Sequence, residues 1–198
     1  MEELDVVELF IDEDNVLNGI EAISIVEHPA IEEDFVALKE QGRLELAKVD
    51  EDKRILMGAA LIPDKKIYRR NKEGEEYEVW FSKDTVRQAS EIFFQKGLQS
   101  ETTLEHEIDL KGNTVVESWI KESEVDKSVA NGIDVPIGTW LISMKVEDDA
   151  VWELAKQGKI KAFSIEGKFA DIITMTSEKS AKDIHKEIVD MIENVTKQ

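Results

Sequence analysis

The chain has 198 residues, of which 41% are apolar, which predicts one compact domain with short appendages. It contains no cysteine, which excludes disulfides, thiolate zinc sites and a cysteine nucleophile. The formal net charge of −19 disfavours a nucleic-acid partner, because a polyanion would be repelled. No run approaches the roughly 20 consecutive apolar residues of a membrane span, so we expect a soluble intracellular protein without a membrane partner.

The N-terminal part of the chain predicts a strand, an arm and a second strand. Residues 4–11 alternate between apolar and acidic side chains, as a half-buried strand does. Residues 20–38 mix both types around His28 without a sustained period, which predicts an extended arm with a short helix near Ile31–Lys39. The apolar run Ile55–Pro63 then predicts a buried strand that ends at its proline.

A hairpin and a helix are expected next. Ile67–Arg70 and Tyr77–Phe81 predict the two hairpin strands, and the basic run Lys65–Lys72 is interpreted as their solvated charged end. Ser82 is a good N-cap for a helix that Gly97 ends.

The second half of the chain repeats the alternation of strands and a helix. Val115–Ile120 and Thr139–Val146 predict strands, and Glu147 begins a helix that Gly158 ends. Ile160–Ile173 predicts a further strand. Six to eight strands with two internal helices favour an α+β domain built on a mainly antiparallel barrel or sandwich.

The end of the chain predicts an amphipathic helix over residues 177–198. Its apolar residues recur every three or four positions and are Ala181, Ile184, Ile188, Met191 and Val195. This spacing is compatible with self-association as a coiled coil and equally with packing on the chain's own domain. We therefore divide the chain into an N-terminal strand and arm (1–44), a main domain (45–176) and this helix.

Ser164 and His106 are the candidate nucleophile and base. A serine hydroxyl needs a nearby base to attack at neutral pH, and histidine suits that task best. In a strand, Ser164 shares one face with Ala162 and Glu166, and Phe169 joins the opposite face only if Gly167 marks a bulge. Ser164 is one of eleven serines, so its position alone is also that of an ordinary strand serine.

A third group must hold His106 in one tautomer. Glu117 is the first candidate, because it lies in the next predicted strand, which is otherwise mostly apolar. Asp171 is the second, but it follows Ser164 by seven residues, about 23 Å in an extended strand.

No other motif suggests a reaction centre. His28 precedes a proline in the predicted arm, and His185 lies in the terminal helix. The sequence has no HExxH or spaced histidine cluster and no glycine-rich phosphate loop, so we expect no metal and no cofactor.

Five segments together resemble the tailed-phage prohead proteases, specifically the family known as putative phage serine proteases. They are Asn18–Ile31, Leu104–His106, Val115–Ile120, Asp134–Trp140 and Gly158–Gly167. The resemblance covers about residues 18 to 172 and makes the main domain the protease domain.

The resemblance implies a fold like that of the herpesvirus capsid-maturation proteases, a β-barrel surrounded by helices. It implies that His106 is the general base and Ser164 the nucleophile. Herpesvirus enzymes place a second histidine as the third member, for which Glu117 is the expected replacement here. They also support the oxyanion with an arginine, but this chain has none after Arg87, so a backbone amide or Lys168 is the expected donor.

The implied function is that of a serine endopeptidase that cleaves phage scaffold and major capsid proteins during prohead maturation in the host cytoplasm. The alternative is a catalytically silent capsid-assembly or scaffold-like protein, which acts through its acidic surface and its C-terminal helix.

Overall fold

The computed structural model describes residues 4–11, 19–27, 36–38, 53–70 and 74–174, with the side chains of 36–38 and 171–174 excepted. Within these residues the chain forms twelve strands and three helices. The strands are β1 (Asp5–Phe10), β2 (Gly19–Val26), β3 (Val36–Leu38), β4 (Ile55–Leu61), β5 (Ile67–Arg70), β6 (Glu76–Phe81), β7 (Thr102–Leu104), β8 (Ile108–Leu110), β9 (Asn113–Ile120), β10 (Trp140–Val146), β11 (Ala162–Lys168) and β12 (Ala170–Thr174). The helices are α1 (Lys83–Gln95), α2 (Lys127–Ala130) and α3 (Asp149–Lys156).

The described strands form three four-stranded sheets. Their strand orders are β12-β1-β6-β5, β3-β4-β10-β9 and β11-β2-β7-β8. Most pairings are antiparallel, as predicted, whereas β1 with β6 and β2 with β7 are parallel. The chain is thus a mixed α+β protein, but no sheet closes into the predicted barrel within the described residues.

The strand β2 corrects the prediction of an extended arm over residues 20–38. It is hydrogen-bonded between β11 and β7, and all its residues except Glu21 are buried. A strand buried on both faces has no apolar alternation, which is why the sequence pattern concealed it. Val36–Leu38 is likewise a strand paired with β4 where a helix was predicted, while residues 31–35 lie outside the described part.

The remaining predicted elements within the described residues are confirmed with small changes. Ser82 caps α1, and its Oγ accepts a hydrogen bond of 3.3 Å from the Thr85 amide. The predicted strand over residues 160–173 is divided into β11 and β12, and these belong to different sheets. The predicted terminal helix, residues 177–198, lies outside the described residues.

Helix α1 connects two of the sheets through the apolar core. It contacts β2 of one sheet and β9 and β10 of another. The fully buried rings of Phe93 and Trp140 meet edge to face, with their centroids 5.5 Å apart. Such aromatic pairs add stabilisation beyond the burial of their surface. This core holds β2 in place. Strand β2 pairs with β11, which contains Ser164, and with β7, which leads into His106.

A β-bulge interrupts the pairing of β11 with β2 between Glu166 and Gly167. This confirms the condition under which Phe169 was predicted to join the apolar side, and its ring packs 4.9 Å from that of Phe81. A Cβ at Gly167 would lie 2.4 Å from the Gly19 carbonyl oxygen. The bulge therefore needs glycine because the opposing backbone comes so close.

We predict that Gly167→Ala destabilises the fold by about 3 kcal/mol, because an added atom against rigid backbone forces the strands apart. Urea unfolding measures the change. The control is Gly158→Ala, where φ is +65° and no atom lies within 4 Å of the added Cβ. That variant should cost only about 1 kcal/mol of backbone strain. Equal losses in the two variants would contradict a steric role for Gly167.

Candidate active site

Ser164 lies in a straight row of residues across the sheet β11-β2-β7-β8, which we call the site sheet. It is in register with Ser24 on β2, which is in register with Thr103 on β7, and Thr103 pairs with Asp109 on β8. Registered residues on neighbouring strands project from the same face of a sheet. Ser164 is 9% exposed, so the residue is nearly but not fully enclosed.

His106 lies in the turn that joins β7 to β8, three residues after Thr103 of this row. The turn closes through a hydrogen bond of 3.1 Å from the Glu107 amide to the Leu104 carbonyl. The backbone amide of His106 donates to Ser24 Oγ over 3.0 Å. The imidazole is 42% exposed, and its Nδ1 lies 3.2 Å from Glu166 Oε1. The base predicted from sequence thus reaches the strand that carries Ser164.

Glu166 is the acid that contacts His106. It lies two residues after Ser164 on β11 and therefore on the same face of the strand. The β2 residues on this face are Ala22, Ser24 and Val26, which are small enough for the glutamate side chain to cross β2. Glu166 Oε1 also accepts a short hydrogen bond from Thr103 Oγ1. Thr103 and His106 together fix this carboxylate over the row that contains Ser164.

The contact between His106 and Glu166 bears on the protonation of the imidazole ring. A carboxylate beside Nδ1 favours the tautomer protonated at Nδ1, which leaves the lone pair of Nε2 for a serine proton. In the described part of the chain no hydrogen bond joins His106 to Ser164. Catalytic hydrogen bonds often tighten only when substrate binds.

Glu117, the third member predicted from sequence, lies in another sheet. It is on β9, where its Oε2 accepts a hydrogen bond of 2.5 Å from the buried Ser143 and pairs with Lys127 Nζ at 2.9 Å. The pKa of Glu117 lies below its ordinary value, mainly because of the hydrogen bond from Ser143 and secondly because of the one from Lys127. The structure therefore brings Glu166 to His106 and gives Glu117 two other partners.

The other residues considered from sequence have these positions. Asp171 lies on β12 opposite Leu9 of β1, in a different sheet from Ser164. His28 and His185 lie outside the described residues. Lys168, a predicted oxyanion donor, pairs through Nζ with Glu21 at 3.3 Å.

Two residues of the site were missed by the sequence reasoning. Glu166 was placed on the face of Ser164, but its contact with a turn two strands away depends on the register of β2. Ser24 lies within the resembling segment Asn18–Ile31, but it was assigned no role because β2 was not recognised as a strand. The alternation of β11 alone could have suggested Glu166.

The described residues contain no group of three metal-ligating side chains placed to hold an ion. Among the described helices, none is long and apolar enough to cross a membrane.

We predict that Glu117→Gln lowers the free energy of unfolding at pH 7 and that this loss shrinks as the pH falls towards 3. A carboxyl whose pKa is lower in the folded state stabilises above its unfolded pKa of about 4.3, and that contribution disappears as the group is protonated. Urea unfolding at both pH values measures it. The control is Glu91→Gln, at an exposed residue of α1. A loss that is the same at both pH values would show that the charge of Glu117 is not stabilising.

Comparison with protein families places most of the chain in a known family. Residues 43–174, about two thirds of the chain, match the family described as "Putative phage serine protease XkdF". No curated protein and no solved structure matches the chain. The matched residues include Ser164, His106 and Glu166 and begin after β1, β2 and β3. The chain belongs to this phage serine protease family.

Proposed function

We propose that the protein is a serine endopeptidase in which Ser164 is the nucleophile, His106 the general base and Glu166 the acid that orients His106. The observation that carries this proposal is the 3.2 Å contact between His106 Nδ1 and Glu166 Oε1, made over the face of the strand that presents Ser164. Membership of a phage serine protease family supports the reaction class.

In the first half of the proposed reaction, Ser164 Oγ attacks the carbonyl carbon of the scissile peptide bond. Its proton passes to His106 Nε2, and Glu166 stabilises the resulting imidazolium at Nδ1. The tetrahedral intermediate collapses when His106 returns this proton to the leaving amine, and the acyl group remains on Ser164. Because Lys168 is paired with Glu21, a backbone amide is the oxyanion donor that we propose.

In the second half, water replaces the departed amine. His106 takes one proton from the water, and the oxygen attacks the acyl carbon. Collapse of the second intermediate releases the carboxylic acid and returns the proton to Ser164. The cycle needs no cofactor, since every proton moves between the substrate, water and these side chains.

The proposed substrates are the scaffold and major capsid proteins of an assembling phage prohead in the host cytoplasm. This proposal goes beyond the match to a phage serine protease family. It is supported by the resemblance of five segments to the prohead proteases. A herpesvirus-like arrangement of the strands is part of the same proposal, and so is self-association through the C-terminal helix.

We expect the wild type to cleave its phage's scaffold and capsid precursors and Ser164→Ala to leave them intact, because the variant has no nucleophile at that position. Gel electrophoresis with mass spectrometry of the products measures cleavage. Ser118→Ala, a change in another sheet, is the control for the loss of a serine hydroxyl. Equal cleavage by wild type and Ser164→Ala would refute the assignment of the nucleophile. Intact precursors in both samples would favour the silent assembly protein.

The identity of the third member is tested by exchanging each glutamate for glutamine. Glu166→Gln should lower kcat by about 10²–10⁴-fold, because the amide no longer stabilises the imidazolium. Glu117→Gln should change kcat by less than about threefold, because its partners are Ser143 and Lys127. The reverse ranking would restore Glu117 as the third member.

A further inference from the structure

The turn that carries His106 has an unfavourable backbone conformation. Glu105 and His106 have φ values of +53° and +60°, and the closing hydrogen bond runs from Glu107 to Leu104. Two consecutive positive φ values match a type I′ turn, which normally has asparagine or glycine at its two central positions. Side chains such as glutamate rarely adopt this conformation, and it persists only where surrounding contacts impose it.

Strand β2 and Glu27, the residue that follows it, supply three contacts that hold this turn. The Glu105 amide donates to the Ile25 carbonyl over 3.1 Å, and the Glu27 amide donates to Glu105 Oε1 over 2.7 Å. The third contact acts on the histidine itself, whose amide donates to Ser24 Oγ over 3.0 Å. The position of His106 relative to β11 therefore depends on β2.

Ser24 lies between the two halves of the site. It is in register with Ser164 on one side and with Thr103 on the other. Its exposed fraction is 0%, so it cannot touch a substrate without a rearrangement of the sheet. Burying a hydroxyl is unfavourable unless it is hydrogen-bonded. The hydrogen bond that Ser24 Oγ accepts comes from the backbone amide of His106.

We propose that Ser24 is a positioning residue for proteolysis, which holds His106 beside Glu166 by accepting the hydrogen bond of the histidine's backbone amide. The proposal rests on the proposed function of His106 and Ser164. Ser24 precedes residue 43, so it lies outside the segment that matches the family. The register of β2 and the hydrogen bond to His106 are the observations that support this role.

A serine-directed fluorophosphonate measures this role without a known substrate. In Ser24→Ala the limiting rate of labelling at Ser164 should fall at least about tenfold, because a shift of about 1 Å in a catalytic group is enough for losses of that order or larger. The concentration for half-maximal rate should stay within about twofold, since Ser24 does not contact the reagent.

Nitrogen-15 NMR of the imidazole gives a second readout that does not depend on activity. The wild type should show His106 as one tautomer protonated at Nδ1, and Ser24→Ala should show a mixture, because the ring is no longer held against Glu166. His106→Gln assigns the signal among the three histidines of the chain.

The matched control is Ser143→Ala. Ser143 is also a fully buried strand serine, and its hydroxyl makes a hydrogen bond to Glu117 in another sheet. This variant should retain the labelling rate and the tautomer. If Ser24→Ala does not fold, Ser24→Cys provides a similar shape with a weaker acceptor, and its labelling rate should still fall.

The outcomes separate the two proposals. A folded Ser24 variant that keeps the wild-type labelling rate and the single tautomer would overturn the role of Ser24. Loss of the single tautomer in Ser24→Ala, with no labelling of Ser164 in the wild type, would support the positioning of His106 and overturn the proposed protease function.

Discussion

The site depends on the pairing of β2 with two strands that are distant from it in sequence. β2 pairs antiparallel with β11, which carries Ser164, and parallel with β7, which leads into His106. The two residues are 58 positions apart along the chain, so local structure alone cannot bring them together. The hydrogen-bonded register of one buried strand sets their relative position.

The same strand also makes room for the acid of the site. Its small residues on the shared face, Ala22 and Ser24, allow Glu166 to reach Thr103 and His106 across the sheet. The bulge after Glu166 requires Gly167, whose position leaves no space for a Cβ. Bulges commonly redirect a side chain next to a functional site. The residue that contacts His106, Glu166, is thus directly followed by Gly167, where the backbones of β11 and β2 come close together.

The sequence predicted the elements that carry a local signal. Alternation revealed β1 and β10, and the capping serine revealed α1. The sequence did not predict β2, because burial of both faces removes the alternation of apolar and polar residues. It also did not predict that the strand over residues 160–173 is divided into β11 and β12, because alternation does not show to which sheet a strand belongs. Glu117 was favoured for its apolar neighbours, yet only the register of three strands shows that Glu166 is the carboxylate beside His106. Ser164 and His106 were singled out by resemblance, since no spacing connects them.

We propose above all that His106, held by Glu166, activates Ser164. Peptide mapping of the fluorophosphonate adduct by mass spectrometry tests it most directly, in the wild type and in His106→Gln. We expect one adduct on Ser164 in the wild type and almost none in the variant, because the hydroxyl is a poor nucleophile without its base. An adduct on another serine, or equal labelling of Ser164 in both proteins, would contradict it.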